Sequence, residues 1–133
     1  MNVVGTMFFK NKKILIDKPR KRPTYQMIGG RVEENETTLE AAVRECHEEL
    51  GKNVRIDKDK FKLIMDFNEI ATSDQKTKIH FYVYRYNGKL EGEPETSEEI
   101  EKFLWYDTTM EADLSNTLKN EIIPYCKENK LIN

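Results

Sequence analysis

The chain has 133 residues, 38% of them hydrophobic and 35% charged, which is the length of one ordinary domain with one packed core and a well-solvated surface. A net charge of −2 leaves no global basic field and argues against a general nucleic-acid binder; no stretch approaches the roughly 20 apolar residues of a membrane span. Cys46 and Cys126 form no CxxC pair, which excludes a zinc ribbon and a thioredoxin-type site, and the N-terminal apolar run is too short for a signal peptide, so the expectation is one cytoplasmic domain over residues 1–133.

In chain order, "VVGTMFFKNKKILID" presents two apolar runs around "KNKK", a hairpin-like signal. "KPRKRPTYQ", with Pro19 and Pro23, reads as a loop, and "MIGGRV" as a short strand or turn. A helix is predicted from Thr37 or Thr38. Thr37 with Glu40 three residues on suits a capping box, and Leu39, Ala42, Val43, Cys46 and Leu50 form a helical apolar stripe that stops at Gly51. The periodicity then changes. Residues 61–71 and 78–86 are rich in aromatic and branched side chains and read as strands, with "TSDQKT" as the hairpin loop between them. "NGKLEGEPETSEEIE" is turn-rich, "KFLWYD" (102–107) is one more strand, and "LSNTLKNEIIPYCKENKLI" closes as an amphipathic helix interrupted at Pro124. Strands, helix, strands, helix is the order of an α/β fold with a mixed sheet flanked by helices.

On a wheel of roughly 100° per residue, Glu45, Glu48 and Glu49 share one flank of the predicted helix. Like charges three or four apart repel. A solvated face accounts for such a flank, and so does a hard divalent cation, because Mg²⁺ and Mn²⁺ favour carboxylate oxygens.

The residues around that flank narrow the choice. Gly30, Glu36 and then Arg44, Glu45, Glu48, Glu49 and Gly51 stand at the spacings of the Nudix box, Gx5Ex7REUxEExGU with U a bulky aliphatic. The chain resembles the Nudix family at every fixed identity of that box. Two aliphatic slots depart: Cys46 fills the first, and Lys52 the last, where Val54 is expected to take over the packing.

The resemblance implies an α/β/α sandwich: a mixed sheet flanked by the box helix and a C-terminal helix. It also implies hydrolysis of a nucleoside diphosphate linked to another moiety, with Mg²⁺ as cofactor and Mn²⁺ as a substitute. Glu45, Glu48 and Glu49 would be metal ligands, one of Glu45 and Glu48 being alternatively the general base. Arg44 would orient a carboxylate, and Glu36 would fix the loop to the helix. Gly29 and Gly30 would let backbone approach metal and phosphate, and Arg31 would contact phosphate. Glu99, or alternatively Glu98, matches an extra metal-binding glutamate before the tryptophan strand. His47 receives no role, and His80 reads as a packed or satisfied histidine.

The basic residues of "KPRKRPTYQ" fit either a polyphosphate or plain solvation. The short chain, the "GEP" turn and the single terminal helix look most like the branch that cleaves nucleoside triphosphates such as 8-oxo-dGTP to monophosphate and pyrophosphate. ADP-ribose or nucleotide-sugar hydrolysis is the alternative, and a non-catalytic nucleotide-binding domain a third. A small-molecule nucleotide, with no nucleic-acid polymer and no membrane, is the expected partner. Dimers are common in the family, and the sequence leaves the oligomeric state open.

Overall fold

A computed structural model describes residues 1–71 and 74–133. Among these residues seven strands form a mixed sheet: β1 (Asn2–Met7), β2 (Phe9–Lys10), β3 (Lys13–Pro19), β4 (Gln26–Arg31), β5 (Phe61–Ile70), β6 (Lys78–Tyr86) and β7 (Ile100–Tyr106), with order β2-β3-β4-β1-β6-β5 and β7 on β3. β1 runs antiparallel to β4 and parallel to β6. The "KNKK" hairpin is real but short. Asn11 and Lys12 take positive φ and pair β2 with β3, whereas β1, across buried Phe8, belongs to the β4–β6 side of the sheet. The loop predicted from Lys18 begins later than expected. β3 runs on through Pro19 because β7 pairs with it there, with a bulge between Lys18 and Pro19.

Alternation along β3 and β4 sorts the core into two layers. Ile14, Ile16 and Met27 join Phe81, Val83 and Tyr106 on one face, under Leu118, Ile122, Ile123 and Cys126. Leu15 and Ile28 join Phe8 and Tyr86 on the other, under Cys46 and Leu50. Val54 packs in this second cluster while Lys52 is exposed, as expected of the altered last slot of the motif. Each fully buried aliphatic side chain contributes about 1.5–3 kcal/mol.

Helix α1 (Thr38–Leu50) covers the second face and packs on β4 and β1. Its start is the predicted capping box: Glu40 N–H donates to Thr37 Oγ1 at 3.1 Å, and Thr37 N–H donates to Glu40 Oε1 at 2.8 Å. Gly51, at φ 87°, ends it and donates to the His47 carbonyl. The C-terminal helix is less regular. A π turn (Leu118–Ile122) precedes α2 (Ile123–Glu128), and Ile123 N–H bonds five residues back to the Leu118 carbonyl. Pro124, next in line, has no N–H to donate, so the interruption falls one turn ahead of the proline. The loop predicted at 72–77 includes residues 72 and 73, which lie outside the described residues. At its base Ala71 N–H donates to the Thr77 carbonyl.

Candidate active site

The connection between β4 and α1 is held by one guanidinium. Arg44 donates to both Glu36 oxygens (Nη2 to Oε1 2.7 Å, Nε to Oε2 3.1 Å), to the Arg31 carbonyl at 2.9 Å, to Glu45 Oε1 at 2.8 Å and to Glu48 Oε2 at 3.2 Å. The Arg44 fork, with a hydrogen bond from Glu33 N–H, lowers the Glu36 pKa, and pairing with Glu36 raises that of Arg44. Glu48 stays largely exposed, with 58% of its side chain accessible against 15% for Glu45. Burial pushes the Glu45 carboxyl up, and Arg44 opposes the shift.

The glycines have distinct jobs. A Cβ on Gly30 would lie 2.5 Å from the Glu45 carboxyl carbon, so the bare backbone seats that carboxyl. A Cβ on Gly29 would lie 2.0 Å from the Val4 carbonyl oxygen, so Gly29 permits the β1–β4 pairing. Gly29 N–H donates to Glu49 Oε2 at 2.8 Å, which turns Glu49 inward toward β3.

There it meets Asp17, which the sequence reading did not single out. Asp17 is fully buried, and neither of its oxygens has a donor partner. Its carboxyl faces that of Glu49 closely enough to hydrogen-bond once one of the two carries a proton, and Glu45 adds a third charge nearby. Burial foremost raises Asp17 to about 7, and burial with the neighbouring Asp17 charge raises Glu49 well above the ordinary range. The pair therefore shares a proton around neutral pH. The available signal was the strand period. Leu15 faces α1, and a residue two further on faces the same way.

Asp17, Gly29, Gly30, Arg31 and Glu49 line a cleft of about 790 Å³, together with Gln26, Phe81, Asn116 and Asn120. Gly30 touches both this cleft and the Glu45 carboxyl. Arg31 is exposed at the end of β4. Of the basic loop, Arg22 reaches the cleft, while Lys18 pairs with Glu101 and Arg20 bonds the Ser97 carbonyl. Glu99 sits apart. Ser97 Oγ accepts from the Glu99 and Ile100 N–H groups, and the Glu99 carbonyl accepts from Arg20 N–H; neither Glu98 nor Glu99 lines the cleft. His80 is satisfied by Asp66 and Asn68.

Residues 2–125 match the family model of the NUDIX domain. The chain belongs to the Nudix hydrolase family. No curated protein sequence matches it. Among solved structures, the MutT protein from Methanosarcina mazei Go1 superposes with a TM-score of 0.75 at 20% identity, covering 98% of this chain and 95% of that one. The MutT NUDIX hydrolase from Burkholderia pseudomallei gives 0.74 at 21% identity, over 89% and 92%. An ADP-ribose pyrophosphatase from Streptococcus suis gives 0.65 at 18% identity, over 96% and 90%. At these identities the likeness is one of fold, and it is the expected Nudix sandwich.

Nudix hydrolases generally use divalent metal ions. Among the described residues, no three His, Cys, Asp or Glu side chains converge as closely as they would around an ion, and Arg44 bridges Glu45 and Glu48 instead. The donor chemistry nonetheless fits. Asp17, Glu45 and Glu49 offer only oxygen, carry excess negative charge, and include a buried carboxylate with no donor, the environment a hard cation relieves.

Proposed function

We propose that this Nudix protein hydrolyses a (deoxy)nucleoside triphosphate, such as 8-oxo-dGTP, to the monophosphate and pyrophosphate, with Mg²⁺ or Mn²⁺. The observation that carries the reading is the gathering of Glu45, Glu49 and Asp17 at Gly29–Gly30, beside a cleft whose volume suits a small-molecule ligand. Glu45, Glu48 and Glu49 would hold the cation, and Glu99 would reach it only by movement of the 97–100 turn. A divalent cation held there would supply charge neutralisation for the polyphosphate and make water in the site more acidic. Glu45 or Glu48 takes the proton from the water that attacks phosphorus. Arg44 keeps both in place, Arg31 meets a phosphate oxygen at the mouth of the cleft, and the phosphoanhydride bond between the α- and β-phosphorus breaks as the new P–O bond forms, releasing the monophosphate and pyrophosphate.

ADP-ribose or a nucleotide sugar is the second reading, favoured by the likeness to the ADP-ribose pyrophosphatase over nearly the whole chain. The test is a panel of triphosphates, ADP-ribose and nucleotide sugars with Mg²⁺ and Mn²⁺, measuring phosphate and pyrophosphate separately. Pyrophosphate with a monophosphate supports the first reading; AMP with ribose 5-phosphate supports the second. In an enzyme, Glu48→Gln should lower turnover by about two orders of magnitude or more while nucleotide affinity persists. Nucleotide binding without turnover in the wild type would leave a sensing domain.

A further inference from the structure

We propose that Asp17, on β3 and outside the Nudix box, is a ligand of the divalent cation, so that the ion is clasped between a sheet strand and the box helix. The inference rests on the metal-dependent reading above.

Three observations carry it. Asp17 ends the apolar run Ile14-Leu15-Ile16 and is itself 0% exposed, where an unpaired carboxylate is strongly disfavoured and an aliphatic residue would be at home. Among the described residues no side chain forms an ion pair with it, although Arg22 and Arg31 line the same cleft. Adjacent Lys18 is engaged by Glu101 at 3.3 Å, Lys13 by Asp107 at 2.7 Å, and Arg44 by Glu36, Glu45 and Glu48. Finally, both Asp17 and Glu49 line the cleft. Gly29 N–H occupies one Glu49 oxygen, and the facing Asp17 group has both oxygens without a donor. A buried carboxylate and a half-buried one, facing each other with only a shared proton between them and lining a cleft, form a half-built coordination shell for a hard cation.

The probe is Mn²⁺ alone, titrated into wild type, Asp17→Asn and Asp17→Thr, with free Mn²⁺ followed by electron paramagnetic resonance and melting followed with and without the ion. The asparagine is isosteric, and the threonine suits a strand should the first variant fold poorly. The expected result is a loss of Mn²⁺ affinity of roughly 10–100-fold and a smaller Mn²⁺-induced rise in Tm. In EDTA, both variants should melt at or above the wild type. Wild-type Mn²⁺ affinity in both variants would overturn the inference and leave the hydrolase reading standing. A wild type that takes up no Mn²⁺ would overturn both.

Discussion

Arg44 shows how much one side chain can organise. A guanidinium has five N–H donors, and the structure gives five hydrogen bonds, to Glu36 twice, Arg31, Glu45 and Glu48. A lysine keeps the charge but not the fork. Arg44→Lys should therefore cost about 1–2 kcal/mol in urea melts, the lower end reflecting partial solvent access, and should lower kcat more than it raises KM, because it misplaces Glu45 and Glu48 without touching substrate. An unchanged kcat would show that the two carboxylates hold their places unaided. This fork was legible in the sequence because the box fixes its members at set spacings. Asp17 was not, because its meaning lies in what stands opposite it. A lone acid at the end of "KILID" looks like a strand end, and only the approach of α1 across the sheet puts Glu49 against it.

At the scale of elements, the two adjacent glycines of β4 separate stability from chemistry. The Cβ of Gly30→Ala would press on the end of a flexible glutamate, and that of Gly29→Ala on the backbone of β1. Gly30→Ala should shift stability by about 1 kcal/mol or less yet lower turnover about tenfold or more as Glu45 is pushed aside. Gly29→Ala should destabilise by about 3 kcal/mol or more. Chemical denaturation run beside an activity assay checks the pair, and equal effects in both would refute the division. Elements with local signals were legible: the capping box at Thr37, the stop at Gly51, and the periodic strands β5 and β6. What the sequence withheld is nonlocal. The break at Phe8 that divides β1 from β2, the extension of β3 through Pro19, and the place of β7 beside β3 all depend on partners far along the chain. The π turn lies between, since Pro124 announces an interruption but not where the helix absorbs it.

For the whole molecule, the buried acids set a pH dependence. Unfolded, Asp17 releases its proton near 3.8; folded, it does so at about 7, and Glu49 is raised as well. Across that window the native state holds more protons than the unfolded chain, so the stabilisation present in weak acid is lost as pH rises toward 7. Asp107 works oppositely. Hydrogen-bonded by Lys13 and held to about 2, it contributes above 3.8 and is lost only as pH falls toward 2. In EDTA, Tm should fall between pH 5 and pH 8, Asp17→Asn should flatten the fall, and Mn²⁺ should do the same by competing with the shared proton. A wild-type Tm that rises over this interval would contradict the arrangement.

The two-layered core also carries its own reporters. Cys46 lies on the inner face of the box helix and Cys126 on that of the terminal one, on opposite faces of the sheet, both with 0% exposure. Burial pushes both thiols up, Cys126 to about 12, so neither is reactive while its layer stays shut. An alkylating reagent followed by peptide mass spectrometry would therefore time the opening of each layer separately. If the cation clamps β3 to the box helix, Mn²⁺ should slow labelling at Cys46 more than at Cys126, turning two inert sulfurs into a readout of which half of the molecule the ion holds closed.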